Sequence, residues 1–327
     1  MMNKKNKKLL FSIVLIIFLL LVIELKIRVN ESEDKNIPLF YNKEISVYPE
    51  IYNLLNDYDS DDKNVLILGA SVMQYIRDSN TFDNKGTFKI YNLAQSGHTS
   101  SDSLNKLAYL TKKGFSFDYI VFYHGVNDAK LNNFPDDLFK DDYQQYSYFK
   151  FTNKIFNYGG MFNFILNSAL IKNLMFSYYE LFYYEVEFII TPEWAKFGSN
   201  IKSKQSFNNF LTQFIAIART QNSKIIIPLF AYNIPDNYSK QLFLDRKLGY
   251  SLNLNEDIPL DIYGTPKNVI KGINLHNELA INSSNDFVVI INTTNISKDV
   301  SNFIDGIHLS ESGKELLVDE ITTQFKN

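Results

Sequence analysis

Residues 63–71 read KNVLILGAS, a short run of aliphatic side chains that ends in glycine, alanine and serine. A short continuous apolar run bounded by turn residues is typical of a strand whose two faces are both buried, as in a parallel sheet covered by helices. The sequence therefore predicts a strand over Val65–Leu68 and places Ser71 on the turn into a helix. There the Ser71 N–H would lie at a helix N-terminus, which favours negative charge. A role as helix N-cap alone is the other interpretation of this serine.

Four more apolar runs, with helical patterns between them, extend this strand into a βαβ series. The other predicted strands are Phe88–Asn92, Tyr119–Tyr123, Lys224–Phe230 and Phe287–Asn292. Apolar residues at helical spacing predict helices that end near Gly114, cover 207–218, begin at Thr265-Pro266 and begin near Ser312, where Ser312 and Glu315 fit a capping box. Strands that alternate with helices are typical of one doubly wound domain. The expected fold class is therefore α/β, with a five-stranded parallel sheet.

The composition excludes several classes of protein and of site. The 327 residues are 45% hydrophobic, which is ample for a folded core. The chain has no cysteine, which excludes disulfides, thiolate metal sites and a cysteine nucleophile. A formal net charge of −3 argues against nucleic-acid binding. The four histidines, at 98, 124, 276 and 308, have no metal-ligand spacing, so we expect neither a metal nor another cofactor.

The N-terminus combines a basic tip with an apolar run. Lysines at 4, 5, 7 and 8 precede Leu9–Ile23, in which Ser12 is the only polar residue. Extended to Ile27, such a helix approaches the length needed to cross a hydrocarbon core of about 30 Å. The basic flank places the N-terminus in the cytoplasm. Because no small residues follow the run, an uncleaved signal anchor is favoured over a cleaved signal peptide. We therefore expect a single-pass membrane protein in which everything after about residue 28 is extracytoplasmic.

These patterns divide the chain into three parts. Residues 1–28 would form the cytoplasmic tip and transmembrane signal anchor, residues 29–62 a tether with a lead-in helix, and residues 63–327 the α/β domain. Residues 138–195 interrupt the alternation of strands and helices and are rich in Phe and Tyr, so we predict a mostly helical insertion. Extra helical packing is the favoured interpretation of this insertion. A lid, an acyl-side pocket and a face that rests on the membrane are the alternatives.

Three further segments carry backbone or side-chain groups suited to acyl transfer. Two of them follow predicted strands, and the third precedes the last helix. Gly97 would let a backbone N–H approach a ligand closely. Asn127 could aim its amide at an oxyanion, while Asp128 holds the loop. In Asp305-Gly306-Ile307-His308, the spacing can bring a carboxylate to one imidazole nitrogen and leave the other to accept a proton. Taken singly, each segment is also compatible with an ordinary turn or a solvated loop.

Together the four segments resemble the marker blocks of the SGNH hydrolases, the GDSL-like esterase superfamily, which carry Ser, Gly, Asn and His in this order. Here the blocks read GAS at 69–71, SGH at 96–98, GVND at 125–128 and DGIH at 305–308. The resemblance covers about residues 63–325 apart from the insertion. It departs from the family pattern at Ala70, where the usual residue is Asp. It implies a flavodoxin-like three-layer α/β/α sandwich with strand order 2-1-3-4-5.

The resemblance also implies a role for each block residue. Ser71 looks like the nucleophile, His308 like the base and Asp305 like its orienting partner. The Ser71 N–H, the Gly97 N–H and the Asn127 side-chain amide look like an oxyanion hole, with Asp128 as a supporting residue. The implied enzyme is a serine hydrolase that acts on ester bonds, of the carboxylesterase or deacetylase type.

Location and resemblance together suggest a substrate. An anchored esterase that faces outward meets envelope polymers first, so we expect it to remove an O-acyl group, acetyl above all, from an envelope polysaccharide or related glycan. A lipid ester is the alternative substrate. An O-acyltransferase that works beside a membrane-bound acyl-donor partner would use the same triad on a cell-envelope polymer. A non-catalytic SGNH-like binding module is the third interpretation, although the complete set of block residues argues against it.

Overall fold

Five parallel strands form the central sheet of the structure, a computed structural model that describes residues 4–82, 88–157, 166–184, 192–251 and 258–326. They are β1 (Asn64–Gly69), β2 (Lys89–Asn92), β3 (Tyr119–Tyr123), β4 (Lys224–Pro228) and β5 (Val288–Ile291). Their order is β2-β1-β3-β4-β5, and each neighbouring pair is parallel. The predicted sheet and its strand order are therefore confirmed, with strand ends that differ from the prediction by at most two residues.

Helices connect the strands and precede the sheet. In the described part of the chain they are α1 (Lys4–Lys35), α2 (Lys43–Val47), α3 (Ile51–Asp57), α4 (Ser71–Asp78), α5 (Ser100–Lys112), α6 (Val126–Lys130), α7 (Ser147–Asn157), α8 (Ala169–Phe182), α9 (Pro192–Ala195), α10 (Ser203–Thr220), α11 (Lys240–Leu244), α12 (Pro266–Asn282), α13 (Thr294–Lys298) and α14 (Glu311–Thr323). Short 3₁₀ helices lie at Leu131–Asn133, Phe197–Ser199, Leu260–Ile262, Val300–Asn302 and Gln324–Lys326. The predicted start of α12 is confirmed, since Thr265 is its N-cap and accepts the Asn268 N–H.

The last helix begins before its predicted cap. Ser310 is the N-cap, and its hydroxyl oxygen accepts the Gly313 N–H. The backbone is extended at Ser310 (φ −69°, ψ 174°) and helical from Glu311 onward, so Ser312 already lies in the first turn. The predicted capping box of Ser312 and Glu315 was therefore wrong.

The chain divides into two compact units, and the larger one, residues 58–143 and 186–327, contains the whole sheet. Every residue of β1 is buried. Because successive side chains of a strand point to opposite faces of the sheet, burial at every position means that both faces are covered. This explains why the strands appear in the sequence as continuous apolar runs rather than as alternating patterns.

The smaller unit, residues 1–57 and 144–185, joins the N-terminal helices to most of the predicted insertion. The Glu24 carboxylate in α1 accepts hydrogen bonds from Ser168 Oγ (2.8 Å) and from the N–H groups of Ala169 (2.9 Å) and Leu170 (2.8 Å). It therefore caps α8, at a helix end that favours negative charge. This contact gives Glu24, a carboxylate beside a long apolar run, a structural role in folding.

Residues 29–62, predicted as a tether with a lead-in helix, contain the end of α1 followed by α2 and α3. Ile37, Tyr41 and Ile45 form a small apolar cluster in this segment. Of the predicted insertion at 138–195, the described parts carry α7, α8 and α9. Its residues 158–165 and 185–191 lie outside the described residues.

The sequence also predicts a membrane-spanning helix at the N-terminus. Within the described ranges, no helix combines the length and the apolar composition needed to cross a membrane, so the predicted membrane-spanning helix is not found.

Candidate active site

Ser71, His308 and Asp305 meet at the carboxyl end of the sheet. Ser71 is the first residue of α4, separated from β1 by Ala70 alone. Its Oγ lies 2.8 Å from Nε2 of His308, 237 positions further along the chain. Nδ1 of His308 lies 2.7 Å from Oδ2 of Asp305. An ionised carboxylate can only accept, so Nδ1 carries the proton and Nε2 is left to accept the Ser71 hydroxyl hydrogen. The three side chains thus form one continuous hydrogen-bonded chain from hydroxyl to carboxylate.

The Asp305 carboxylate is held almost entirely by backbone donors. Oδ1 accepts the N–H groups of Ile307 and His308, both at 2.8 Å, and Oδ2 accepts the Ile258 N–H at 3.0 Å. The short loop closes on itself, because the Ile304 N–H donates to the His308 carbonyl. Asp305 and His308 are fully buried. The carboxylate therefore has a single orientation, which in turn fixes the imidazole.

After β1, β2 and β3, three N–H groups each keep a hydrogen that no atom in the described part of the chain accepts. The backbone N–H groups of Ser71 and Gly97 donate to no atom in the described part of the chain. Gly97 has a φ of +80°, a left-handed conformation that favours glycine. Asn127 gives one amide hydrogen to the His98 carbonyl (2.9 Å), which orients the amide and leaves its second hydrogen for a ligand. These are the donors that the sequence predicted for an oxyanion hole.

The loop that carries Gly97 is tied to the helix that carries Ser71. Asn92 donates from Nδ2 to the Met73 carbonyl (2.8 Å). Gln74 accepts the Ser96 N–H on its side-chain oxygen (2.7 Å). Both contacts join α4 to the end of β2 and the loop after it, so the segments that carry the Ser71 and Gly97 N–H groups are tied together.

Lys106 is a buried residue beside this loop that sequence reasoning missed. Its Nζ, fully buried, donates to the Leu93 carbonyl (2.6 Å) and to His98 Nδ1 (2.8 Å). Lysine has no acceptor, so the His98 proton resides on Nε2. Lys106 thereby contacts the loop on both sides of Gly97. No sequence signal marks this role, because an isolated lysine in an amphipathic helix is normally exposed.

Asp128 holds the loop after β3 against the start of α5. Its carboxylate accepts the Ser100 N–H (3.0 Å), the Ser100 hydroxyl (2.6 Å) and the Tyr143 hydroxyl (3.1 Å). Full burial raises the pKa of Asp128 to about 6, against the opposing effect of these hydrogen bonds. Asp128 follows Asn127 directly, so its anchorage also holds the backbone from which the Asn127 side chain extends.

Two further histidines are buried beside the same loops. His276 stacks on Phe207, shares a 2.9 Å hydrogen bond with Ser203 and lies 3.1 Å from the Gly125 carbonyl through Nδ1. His124 lies 2.6 Å from Ser103 through Nε2. Burial lowers the pKa of His276 to about 4 and that of His124 to about 3, so both imidazoles are neutral. These contacts give His276 a structural role in holding α10 and α12 beside the Gly125 backbone.

Gly125 is required by close packing rather than by its backbone conformation. A Cβ at this position would lie 2.7 Å from Cγ of Phe230, which stacks on Tyr123 at the end of β3. Only glycine lets the two chains pass this closely. The packing fixes the path of the chain from β3 into α6, where Asn127 lies.

Comparison with known proteins agrees with this geometry. The sequence profile of the GDSL-like lipase/acylhydrolase family matches residues 52–321. No curated protein sequence is significantly similar to the chain.

Similar solved structures include a lipase/acylhydrolase from Enterococcus faecalis (14% identity, 81% of this chain and 95% of that chain, TM-score 0.40). Another is a GDSL-like lipase from Bacteroides thetaiotaomicron (11% identity, 86% of this chain and 97% of that chain, TM-score 0.46). A third is the psychrotrophic esterase EstA from Pseudoalteromonas sp. (14% identity, 81% of this chain and 97% of that chain, TM-score 0.37). The profile match alone covers most of the sequence and all four blocks. The chain therefore belongs to the GDSL-like lipase/acylhydrolase family, whose members are serine ester hydrolases.

Proposed function

We propose that this protein cleaves O-acyl esters through Ser71 as nucleophile and His308 as general base. The hydrogen-bonded chain from Ser71 Oγ through His308 to Asp305 carries the proposal. A serine hydroxyl is a weak nucleophile unless an adjacent base removes its proton, and here the base is in contact and already in the required tautomer.

The reaction proceeds in two steps. Ser71 Oγ attacks the ester carbonyl carbon as Nε2 of His308 takes the hydroxyl proton, and Asp305 stabilises the imidazolium that results. The developing oxyanion accepts from the Ser71 N–H, the Gly97 N–H and Asn127 Nδ2. His308 then protonates the departing alcohol, and the acyl group remains on Ser71. Water, deprotonated by His308, releases the acid and regenerates the serine.

Replacing Asn127 with alanine should lower kcat for ester hydrolysis by about 10²–10³-fold, as expected for the loss of one oxyanion donor. KM should change little, because the oxyanion exists only in the transition state. The measurement is steady-state hydrolysis of 4-nitrophenyl acetate, with the exposed Asn208, which lies on α10, changed to alanine as the matched control. A variant that retains more than a third of the wild-type kcat would exclude Asn127 from the oxyanion hole.

The proposed substrate is an acyl group, acetyl above all, on a polysaccharide of the cell envelope or a related glycan. An O-acyltransferase that receives its acyl group from a membrane-bound donor would use the same residues and differ only in the acceptor. Product analysis separates the two. Acetate release from an O-acetylated oligosaccharide supports the esterase, whereas transfer of the acetyl group to an added unacetylated oligosaccharide supports the transferase. Hydrolysis of long-chain lipid esters alone would argue against a glycan substrate.

We also propose that α1 attaches the protein to a membrane, with the residues after it outside the cytoplasm. Its large apolar side chains from Phe11 to Leu25 are exposed, Phe11 at 69% and Phe18 at 61%. The lysines at 4, 5, 7 and 8 support a cytoplasmic N-terminus. The test is fractionation of the full chain, compared with a variant in which Ile16 and Leu19 are both changed to glutamate. Recovery of the unaltered chain in the supernatant, without carbonate or detergent, would contradict attachment.

A further inference from the structure

A polar groove with a volume of about 400 Å³ opens at the carboxyl ends of β4 and β5. Its walls come from the residues after each strand and from side chains of α12 and α13. The volume falls within the range of about 300–1,000 Å³ that is usual for small-molecule sites. The groove lies at the same edge of the sheet as Ser71, Gly97 and Asn127, which follow β1, β2 and β3. Ligand sites of open α/β sheets are concentrated at this edge.

The lining of the groove is mainly polar, with Leu229, Phe230 and Ile234 as its apolar part, and carries no charge. The polar groups are amides, hydroxyls and the Tyr232 ring, and no Asp, Glu, Lys, Arg or His is among the described residues that line it. A carboxylate or phosphate ligand would require a cationic partner, and a fatty acyl chain would require mainly apolar walls. Amides and hydroxyls beside an aromatic ring instead suit a neutral ligand that is rich in hydroxyl groups.

Two amides in the groove are already oriented. The Tyr232 hydroxyl donates to Oδ1 of Asn274 (2.8 Å), and Oδ1 of Asn292 accepts the Thr294 N–H (2.9 Å). Both asparagines are exposed, and because each side-chain oxygen already accepts a hydrogen bond, the Nδ2 hydrogens are the groups that a ligand can use. The Tyr232 oxygen can still accept a hydrogen bond. The groove therefore offers donors and an acceptor in fixed positions, and orienting them costs a ligand little.

One wall of the groove is joined by a hydrogen bond to the loop that carries Asp305 and His308. The Asn233 N–H donates to the carbonyl of Gly306 (3.0 Å), which lies between Asp305 and His308. Tyr250 donates its hydroxyl to the Asn233 carbonyl (2.7 Å). In the sheet, β4 is two strands from β1, a separation of about 10 Å at ~4.8 Å per strand. A ligand of several linked rings could therefore occupy the groove and reach Ser71 at the same time.

We propose that this groove is a subsite for neutral sugar rings of an O-acylated glycan, adjacent to the ring whose ester reaches Ser71. The inference rests on the proposed esterase function and deepens it by naming an uncharged polyhydroxylated chain as the substrate class. The acyl group itself does not enter the groove. Consequently, simple esters should be cleaved without its help, whereas oligosaccharide esters should depend on it.

The test compares two esters in a full-length variant with both Asn274→Ala and Asn292→Ala. For O-acetylated xylan oligosaccharides we expect KM to rise by about 10-fold or more with kcat nearly unchanged, since each lost hydrogen bond typically weakens binding by about 2- to 12-fold. For 4-nitrophenyl acetate we expect both constants to be unchanged. Asn208→Ala serves as the matched control, and thermal unfolding checks that all variants are folded.

Direct binding separates failure of the subsite from failure of the esterase. Unacetylated xylohexaose, followed by calorimetric titration, should bind the wild type and should bind the double variant at least 10-fold more weakly. Normal cleavage of 4-nitrophenyl acetate, with equal oligosaccharide KM and binding in the double variant and in Asn208→Ala, would overturn the subsite and leave the esterase standing. Conversely, binding that depends on the two asparagines in a protein that cleaves no ester would refute the esterase and retain the subsite.

Discussion

Replacing Ser71 with alanine is expected to lower kcat/KM for ester hydrolysis by about 10⁴-fold or more. The Ser71 hydroxyl is the first group in the hydrogen-bonded chain that runs through His308 to Asp305, and its oxygen is the proposed nucleophile. Alanine removes that oxygen and leaves the Ser71 N–H in place, so oxyanion stabilisation remains while covalent catalysis is lost. Changing His308 to alanine should cost about as much, because residues that act as a unit have non-additive effects.

The direct measurement is covalent labelling of the full-length protein with a fluorophosphonate probe. We expect labelling of the wild type and no labelling of either variant, with circular dichroism used to check folding. Ser96→Ala is the matched control, because Ser96 lies in the exposed loop beside Gly97 and should label normally. Labelling that survives Ser71→Ala would show that another serine is the nucleophile. Absence of label in folded wild type would favour a non-catalytic binding module.

The sheet could be predicted from the sequence because of how its strands are buried. A strand covered on both faces must be apolar at every position, and β1 and β3 accordingly appear as uninterrupted runs. The strand order could not be obtained from periodicity, since hydrophobic runs contain no information about which strands pair. It came from the resemblance to a known family, and the observed order β2-β1-β3-β4-β5 confirms it.

The site was predictable where its contacts are local or follow from strand ends. Asp305 and His308 are three residues apart, so their contact could be proposed from the spacing. The contact of His308 with Ser71 spans 237 positions and depends on the topology of the whole sheet. At Ser312 a local pattern gave the wrong result. Ser312 and Glu315 match a capping box in the sequence, but the backbone turns into the helix at Ser310, which is the N-cap.

Buried polar contacts outside the blocks could not be predicted. Lys106 and Glu24 are both charged residues in helices, for which solvent exposure is the usual expectation. In the structure, Lys106 donates to the Leu93 carbonyl beside the Gly97 loop, and Glu24 caps α8. Such contacts join segments that are distant in the sequence, and no pattern of spacing or composition records them. They become visible only when the three-dimensional arrangement is known.

The Asp305→Asn variant is expected to lower kcat by about 10⁴-fold with little change in KM. An asparagine has one acceptor oxygen in place of two. If that oxygen retains the Ile307 and His308 N–H groups, the NH₂ group takes the place of Oδ2 and faces Nδ1 of His308. The imidazole must then accept at Nδ1, which moves its proton to Nε2. With a proton on Nε2, His308 cannot take the hydroxyl hydrogen of Ser71.

This variant distinguishes control of the tautomer from a general loss of structure. The Ile258 N–H also loses its acceptor, which should cost about 1–3 kcal/mol of stability, so thermal unfolding must be measured beside kcat. The exposed Asp286, changed to asparagine, is the matched control and should leave both unaffected. Nitrogen NMR of labelled His308 should show the proton on Nδ1 in the wild type and on Nε2 in Asp305→Asn. If the variant keeps the proton on Nδ1, or more than a tenth of the wild-type kcat, then Asp305 does not set the tautomer and the base must be oriented by other contacts.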